Sequence, residues 1–174
     1  QTADIYRIVK SVKIKVLAQH IDPVEEGQFT GFINAFDVKE DGAYGTLLNH
    51  SEHKLKFNEL KKTVKIVRKA KLKIFICAVT PNEVNRVKTL KPDYIAIEPP
   101  ELIGGNTSVS KAKPEVITSS VKLTKIPVLC GAGIKNSDDV KKAIELGAKG
   151  ILVASGIVLA KNPKEVLIEM SKVV

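Results

Sequence analysis

Residues 94–115, YIAIEPPELIGGNTSVSKAKPE, decide how the chain is read. Tyr94-Ile95-Ala96-Ile97 is a short, β-branched, apolar run, the length of a buried strand. A carboxylate, Glu98, follows it and precedes two prolines. Gly104-Gly105-Asn106-Thr107-Ser108 is small and flexible, and Lys113-Pro114-Glu115 opens a helix, with proline at an early helical position. A carboxylate delivered by a strand into a proline-hinged, glycine-tipped loop has the makings of a catalytic base with a lid. The plainer alternative is a strand-to-helix connection carrying an ordinary exposed glutamate.

The same grammar recurs on both sides of this stretch. Towards the N-terminus, residues 3–12 space Ile5, Ile8, Val9 and Val12 as a helix does, and IKVLAQHI (14–21) reads as a strand ending in His20. A loop with Pro23, Gly27 and Gly31 leads to a short helix near 33–40. Gly45-Thr46-Leu47-Leu48 is the next strand and runs into Asn49-His50-Ser51-Glu52. A helix over 58–70 places Leu60, Val64 and Val67 on one face. Strand 73–77 leads to Thr80-Pro81, an N-cap and first-turn pair for a helix over 81–90.

Towards the C-terminus come a helix near 112–122 and the strand Pro127-Val128-Leu129-Cys130, which ends in Gly131-Ala132-Gly133. A helix capped by Ser137 turns Val140, Ala143 and Ile144 inward and stops at Gly147. The strand Gly150–Ala154 runs into Ser155-Gly156, and Asn162-Pro163 starts a terminal helix with Val166, Leu167 and Met170 inward. Strands beginning near 15, 45, 73, 94, 127 and 150, each followed by a helix, predict a parallel sheet covered by helices in one domain, residues 1–174. An open doubly wound sheet and a (β/α) barrel both satisfy this pattern. No G-x-G-x-x-G follows the first strand, which counts against a dinucleotide-binding open sheet.

Composition narrows the function classes. A charge of +9 could signal a polyanionic partner, but the lysines spread over helix faces, as in KKTVKIVRKAKLK from Lys61, and aromatic content is only 5%. That pattern counts against nucleic-acid binding as the main function and leaves a field that favours a small phosphorylated substrate. No apolar run approaches the roughly 18 residues of a membrane span. Cys77 and Cys130 each end an apolar run and fit neither a zinc pattern nor a disulfide framework, so buried reduced thiols are expected.

His20, His50, Glu98, Gly131-Ala132-Gly133 and Ser155-Gly156 all fall at C-terminal strand ends, the catalytic face of a β/α barrel. Glycine there lets backbone N–H groups approach phosphate oxygens, and a following helix N-terminus adds its dipole. Gly133 and Ala154-Ser155 are suitable donors. A carboxylate on a closing loop can take a proton from carbon once water is excluded, and a strand-end imidazole can polarise a carbonyl.

The motifs LLNHSE (47–52), AIEPPELIG (96–104), SVSKAKPEV (108–116), LCGAGI (129–134) and ILVASGI (151–157) resemble triosephosphate isomerase, specifically its archaeal form. AQHIDPVEEGQFTG (18–31) is archaeal-like as well, and the match runs in family order through nearly the whole chain. The resemblance implies a (β/α)8 TIM barrel of which this chain supplies about six βα units, strands three to eight. It implies Glu98 as catalytic base and His50 as neutral electrophile, the division of labour known for this family. Backbone groups of Ile103, Gly133, Ala154 and Ser155 match the family's substrate-phosphate positions. Loop 104–108 would close over the phosphate and suppress its elimination.

The implied reaction interconverts dihydroxyacetone phosphate and D-glyceraldehyde 3-phosphate through an enediolate, in glycolysis and gluconeogenesis, without metal or organic cofactor. The implied enzyme is cytoplasmic and homotetrameric, with no nucleic-acid or membrane partner. A catalytically impaired phosphate-binding module and another phosphate-binding barrel enzyme, such as one of tryptophan or thiamine biosynthesis, are the alternatives. Glu52 is a candidate for orienting charge beside His50 or an ordinary first-turn glutamate. His20 and His53 are expected to be structural or interfacial, and Glu101 a loop residue. Nothing matches the family's Asn-x-Lys motif, because by resemblance Gln1 falls just after the second barrel strand. The expectation is that the native enzyme has this segment, and that six strands alone would isomerise poorly.

Overall fold

A computed structural model describes residues 1–102 and 108–173, which form two compact units, Gln1–Cys77 and Ala78–Val174. The first unit opens with a 3-10 turn, Thr2–Asp4, and helix α1 (Ile5–Ser11). Strand β1 (Leu17–Ala18), helix α2 (Ala35–Glu40), strand β2 (Gly45–Leu48), helix α3 (Phe57–Lys69) and strand β3 (Lys73–Ala78) follow. The last residue of β3, Ala78, belongs to the second unit. β1 pairs in parallel with β2, Leu17 opposite Gly45, and β2 with β3 from Gly45–Lys73 to Leu48–Ile76. A Cβ at Gly45 would lie 2.4 Å from the Lys73 carbonyl oxygen, so glycine is what lets these two backbones approach.

α3 shows why the alternation works. Leu60, Thr63, Val64, Ile66 and Val67 are buried, while Lys61, Lys62, Lys65, Arg68 and Lys69 are exposed. Burial of each large apolar side chain on that face contributes about 1.5–3 kcal/mol. The lysine run is therefore a solvated helix face. Between β1 and α2 the chain makes a loop closed at its base by Asp22. The Asp22 N–H donates to the Ile33 carbonyl at 3.0 Å, and the Ile33 N–H donates to Asp22 Oδ2 at 2.7 Å.

The second unit runs through helix α4 (Pro81–Val87), strand β4 (Tyr94–Ile97), a 3-10 turn (Pro100–Leu102), α5 (Val109–Ala112), α6 (Pro114–Leu123) and β5 (Val128–Gly131). It ends with α7 (Ser137–Glu145), β6 (Ile151–Leu152), α8 (Ser155–Val158) and α9 (Pro163–Ser171). β4 and β5 pair in parallel from Ile95–Val128 to Ile97–Cys130, and β5 and β6 pair Cys130 with Ile151 and Gly131 with Leu152. Ile95, Ala96, Ile97 and Cys130 have no measurable exposure, as continuous apolar strands covered on both faces require. Cys77 and Cys130 are buried, and neither is in a disulfide among the described residues.

Among the described residues six strand–helix alternations appear in the predicted order, with corrections of detail. The Thr80 hydroxyl oxygen accepts the Glu83 N–H, as its capping role predicts. The cap of α7, however, is Asn136, whose Oδ1 accepts the Asp139 N–H at 3.0 Å, and Ser137 is the first helical residue. Asparagine reaches that N–H as well as serine does. Leu167 is 53% exposed whereas Met170 is buried, so the inner face of α9 is narrower than its apolar content implied. β1 and β6 pair over two residues each, with Ile14 at 76% exposure outside β1. Among the described residues no helix is long and apolar enough to cross a membrane.

Candidate active site

In the first unit the chain leaves β2 through Asn49, at φ 62°, a left-handed conformation that asparagine tolerates better than most residues. Asn49 is buried and ties the turn down at both ends of its amide. Its Nδ2–H donates to the Cys77 carbonyl at 2.8 Å, and the Leu55 N–H donates to its Oδ1 at 3.1 Å. His50 is thereby held on a rigid turn, with its side chain 24% exposed.

The imidazole caps the 3-10 turn Ser51–His53: the Glu52 backbone N–H donates to His50 Nδ1 at 3.3 Å. An amide N–H can only donate, so Nδ1 carries the lone pair and the neutral ring bears its proton on Nε2. The Glu52 carboxylate stands 3.5 Å from Nδ1 but is 85% exposed, so solvent screens its charge. The backbone amide, not the carboxylate, sets the tautomer. His20 and His53 take no part in this cap. Their rings stack at 3.9 Å, and His20 Nε2 lies 3.3 Å from Asp22 Oδ1. Burial, reinforced by the neighbouring His53, pushes the His20 pKa below the ordinary histidine value despite Asp22.

In the second unit Glu98 follows β4 directly. Its N–H donates to the Ala78 carbonyl at 2.8 Å and the residue is only 5% exposed. The carboxylate lies over Gly131: a Cβ built there would sit 2.6 Å from Glu98 Oε1 and 3.1 Å from Glu98 Cγ. Missing methyl volume at the end of β5 is thus what admits the acid. Beside it, burial and then the negative charges of Asp139 and Glu98 raise the Cys130 thiol pKa to about 12. That thiol stays protonated and unreactive at neutral pH. Beyond Glu98 the chain makes the Pro100–Leu102 turn, where the exposed Glu101 pairs with Lys113 and its carboxyl pKa is lowered by that contact.

The two glycine loops of this unit meet. Gly133 turns at φ 66°, and a Cβ at Gly156 would lie 2.4 Å from the Ile134 carbonyl oxygen and 3.2 Å from Lys135 Cα. The first turn of α8, with exposed Ala154 before it and half-buried Ser155 at its start, therefore packs on the Gly133–Lys135 turn. Gly133, Ala154 and Ser155 are brought together. Ile103 lies outside the described residues. His50 belongs to the first unit and Glu98 to the second.

The family model for triosephosphate isomerase matches residues 1–172. The chain belongs to the triosephosphate isomerase family. Its curated relatives of that name include the Methanobacterium bryantii protein, 46% identical over 98% of this chain and 77% of the relative. The Methanocaldococcus jannaschii protein is 44% identical over 99% of this chain and 81% of the relative, and that of Methanosarcina mazei 42% over 100% and 81%. These are methanogens, in line with the archaeal resemblance of the motifs. The solved triosephosphate isomerase of Bartonella henselae is similar at a TM-score of 0.67 and 21% identity, over 87% of this chain and 76% of that one. That likeness shows the fold, a TIM barrel, of which the described residues supply six strands.

Two residues packed around these loops stand outside the motif reading. Gly131 read only as part of a glycine loop, although its missing Cβ is what seats Glu98. Asp139 is not singled out by any of the motifs. It is in fact 4% exposed, and nothing in the local pattern separates it from the exposed Asp138 beside it.

Proposed function

We infer that the protein isomerises triose phosphates, interconverting dihydroxyacetone phosphate and D-glyceraldehyde 3-phosphate. The observation that carries this reading is Glu98: a carboxylate 5% exposed, at the end of a buried strand, resting on a glycine. A carboxylate shielded from water at a strand end can take a proton from carbon. In the proposed reaction Glu98 removes the proton from the carbon beside the carbonyl and returns it to the neighbouring carbon. His50, neutral and protonated on Nε2, hydrogen-bonds the carbonyl oxygen as the enediolate forms. A neutral donor suits a reaction in which the oxygen must give up its partner again in the next step.

Gly133, Ala154 and Ser155, with Ile103, are proposed to hold the substrate phosphate through backbone N–H groups, supported by the packing of the α8 turn on the Gly133–Lys135 turn. The basic surplus of +9 draws an anionic substrate inward. Residues 1–174 are proposed to form one domain, an N-terminally incomplete (β/α)8 barrel. The family reading carries with it a cytoplasmic, homotetrameric enzyme of glycolysis and gluconeogenesis.

The test is replacement of the base. Glu98→Gln keeps the shape and removes the proton acceptor, so kcat falls by about 10²–10⁴ while affinity for inorganic phosphate is kept. Unchanged turnover would show that Glu98 is not the base.

A further inference from the structure

A buried carboxylate that the proton transfer does not use links three pieces of the second unit. Asp139, on the first turn of α7, is 4% exposed. Its Oδ1 accepts from the Ser108 hydroxyl at 3.0 Å and from Lys111 Nζ at 2.7 Å, and its Oδ2 accepts the Lys135 N–H at 3.0 Å. Its carbonyl accepts the Ser110 hydroxyl at 3.1 Å, and its own N–H is held by Asn136. Alongside, the Val109 N–H donates to the Ala132 carbonyl at 3.1 Å.

Residues 108–111, the glycine turn 131–135 and the start of α7 thus converge on one side chain. Burial opposes the charge, yet Lys111, the Lys135 amide and the Ser108 hydroxyl together hold the carboxyl below its ordinary range. Taking a carboxylate out of water costs several kcal/mol, and an apolar residue would join these segments more cheaply. What a carboxylate adds is direction: two oxygens that fix donors from different segments at set angles.

The residue whose amide it grips, Lys135, lies two residues after Gly133, and its Cα is 3.2 Å from where a Cβ at Gly156 of α8 would stand. We propose that Asp139 is a positioning residue of the phosphate subsite, clamping the Gly133–Lys135 turn so that its amides face the substrate phosphate beside Ser155. This rests on the phosphate reading above. No atom of Asp139 need touch substrate. The clamp serves binding of any phosphate monoester dianion and acts before and after proton transfer alike.

Asp139→Asn tests it, with inorganic phosphate as the probe and amide chemical shifts of Gly133 and Ser155 as the readout, beside kcat and KM for the triose phosphate. Loss of the charge weakens hydrogen bonds worth more than tenfold in an equilibrium, so the phosphate Kd and the KM should rise about tenfold, by a larger factor than kcat falls. Ser108→Ala, which removes one of the carboxylate's contacts together with the Ser108–Ser110 hydroxyl contact and leaves the charge, should move both constants several-fold in the same direction. A merely structural residue would lower the melting temperature and the active fraction, with KM and phosphate Kd unmoved in the folded molecules. The wild-type Kd in folded Asp139→Asn overturns the clamp, as does the wild-type Kd in Ser108→Ala should Asp139→Asn not fold. Absence of phosphate-induced shifts at Gly133 and Ser155 in the wild type overturns the subsite itself, and the clamp with it.

Discussion

Gly131→Ala adds one methyl group at the point where the proposed base rests. The new Cβ would stand 2.6 Å from Glu98 Oε1, against an ordinary contact of 3.4 Å or more, so the carboxylate must withdraw by about 0.8 Å. Retreat of the backbone is opposed from the other side, because the same Cβ meets Leu152 Cβ at 3.0 Å on the neighbouring strand. The carboxylate is the softer neighbour and is expected to yield. A misplacement of about 1 Å at a reacting group costs roughly 10²-fold in rate. Overpacking a tight site costs about 1–3 kcal/mol of stability. Steady-state kinetics on Gly131→Ala should therefore show kcat lowered about 10²-fold by displacement, with KM for the triose phosphate changed little, in a protein that still unfolds cooperatively. A folded variant with kcat near wild type would refute the placement of the reactive carboxylate over Gly131.

Two further outcomes follow from the first unit. His20 has its pKa lowered in the folded state, so the unfolded chain takes up its proton first as pH falls. Its stabilising contribution is full above the ordinary histidine value of about 6.5 and is lost on the way down through the folded value. Urea midpoints between neutral and acidic pH should fall with pH in the wild type and fall less in His20→Gln. Asn49→Ala removes both hydrogen bonds of a buried amide and puts alanine at φ 62°. Unpaired buried groups cost about 1–3 kcal/mol each, and the left-handed backbone adds about 1 kcal/mol, so a loss of roughly 3–7 kcal/mol by denaturant titration is expected.

Much of this could be read without coordinates, for physical reasons that differ by element. The runs 94–97 and 73–77 are short, apolar and flanked by breakers, and both are strands. The α3 stripe of Leu60, Val64 and Val67 is buried as its spacing requires. Glu98 was found because a carboxylate against a buried strand and two prolines is chemically unusual, and its burial agrees. The seating of Glu98 on Gly131 and the contacts of Asp139 were not visible, since both depend on neighbours distant in sequence, Glu98 in one case and Ser108–Lys111 in the other. Leu167 failed for a related reason. Helical spacing shows that two apolar residues share a face, but not how far the neighbouring surface extends beneath it. The tautomer of His50 is a subtler case: it depends on a backbone amide two residues away, which every sequence supplies and only the 3-10 turn aims at Nδ1.

The account centres on carbon-to-carbon proton transfer by one carboxylate, and solvent isotope incorporation reports that step directly. Incubated with dihydroxyacetone phosphate in deuterium oxide, the protein should form D-glyceraldehyde 3-phosphate carrying deuterium at C2, from exchange of the Glu98 proton with solvent. Glu98→Gln should form neither the product nor the label above the uncatalysed background. Label appearing at the wild-type rate in Glu98→Gln would contradict the account.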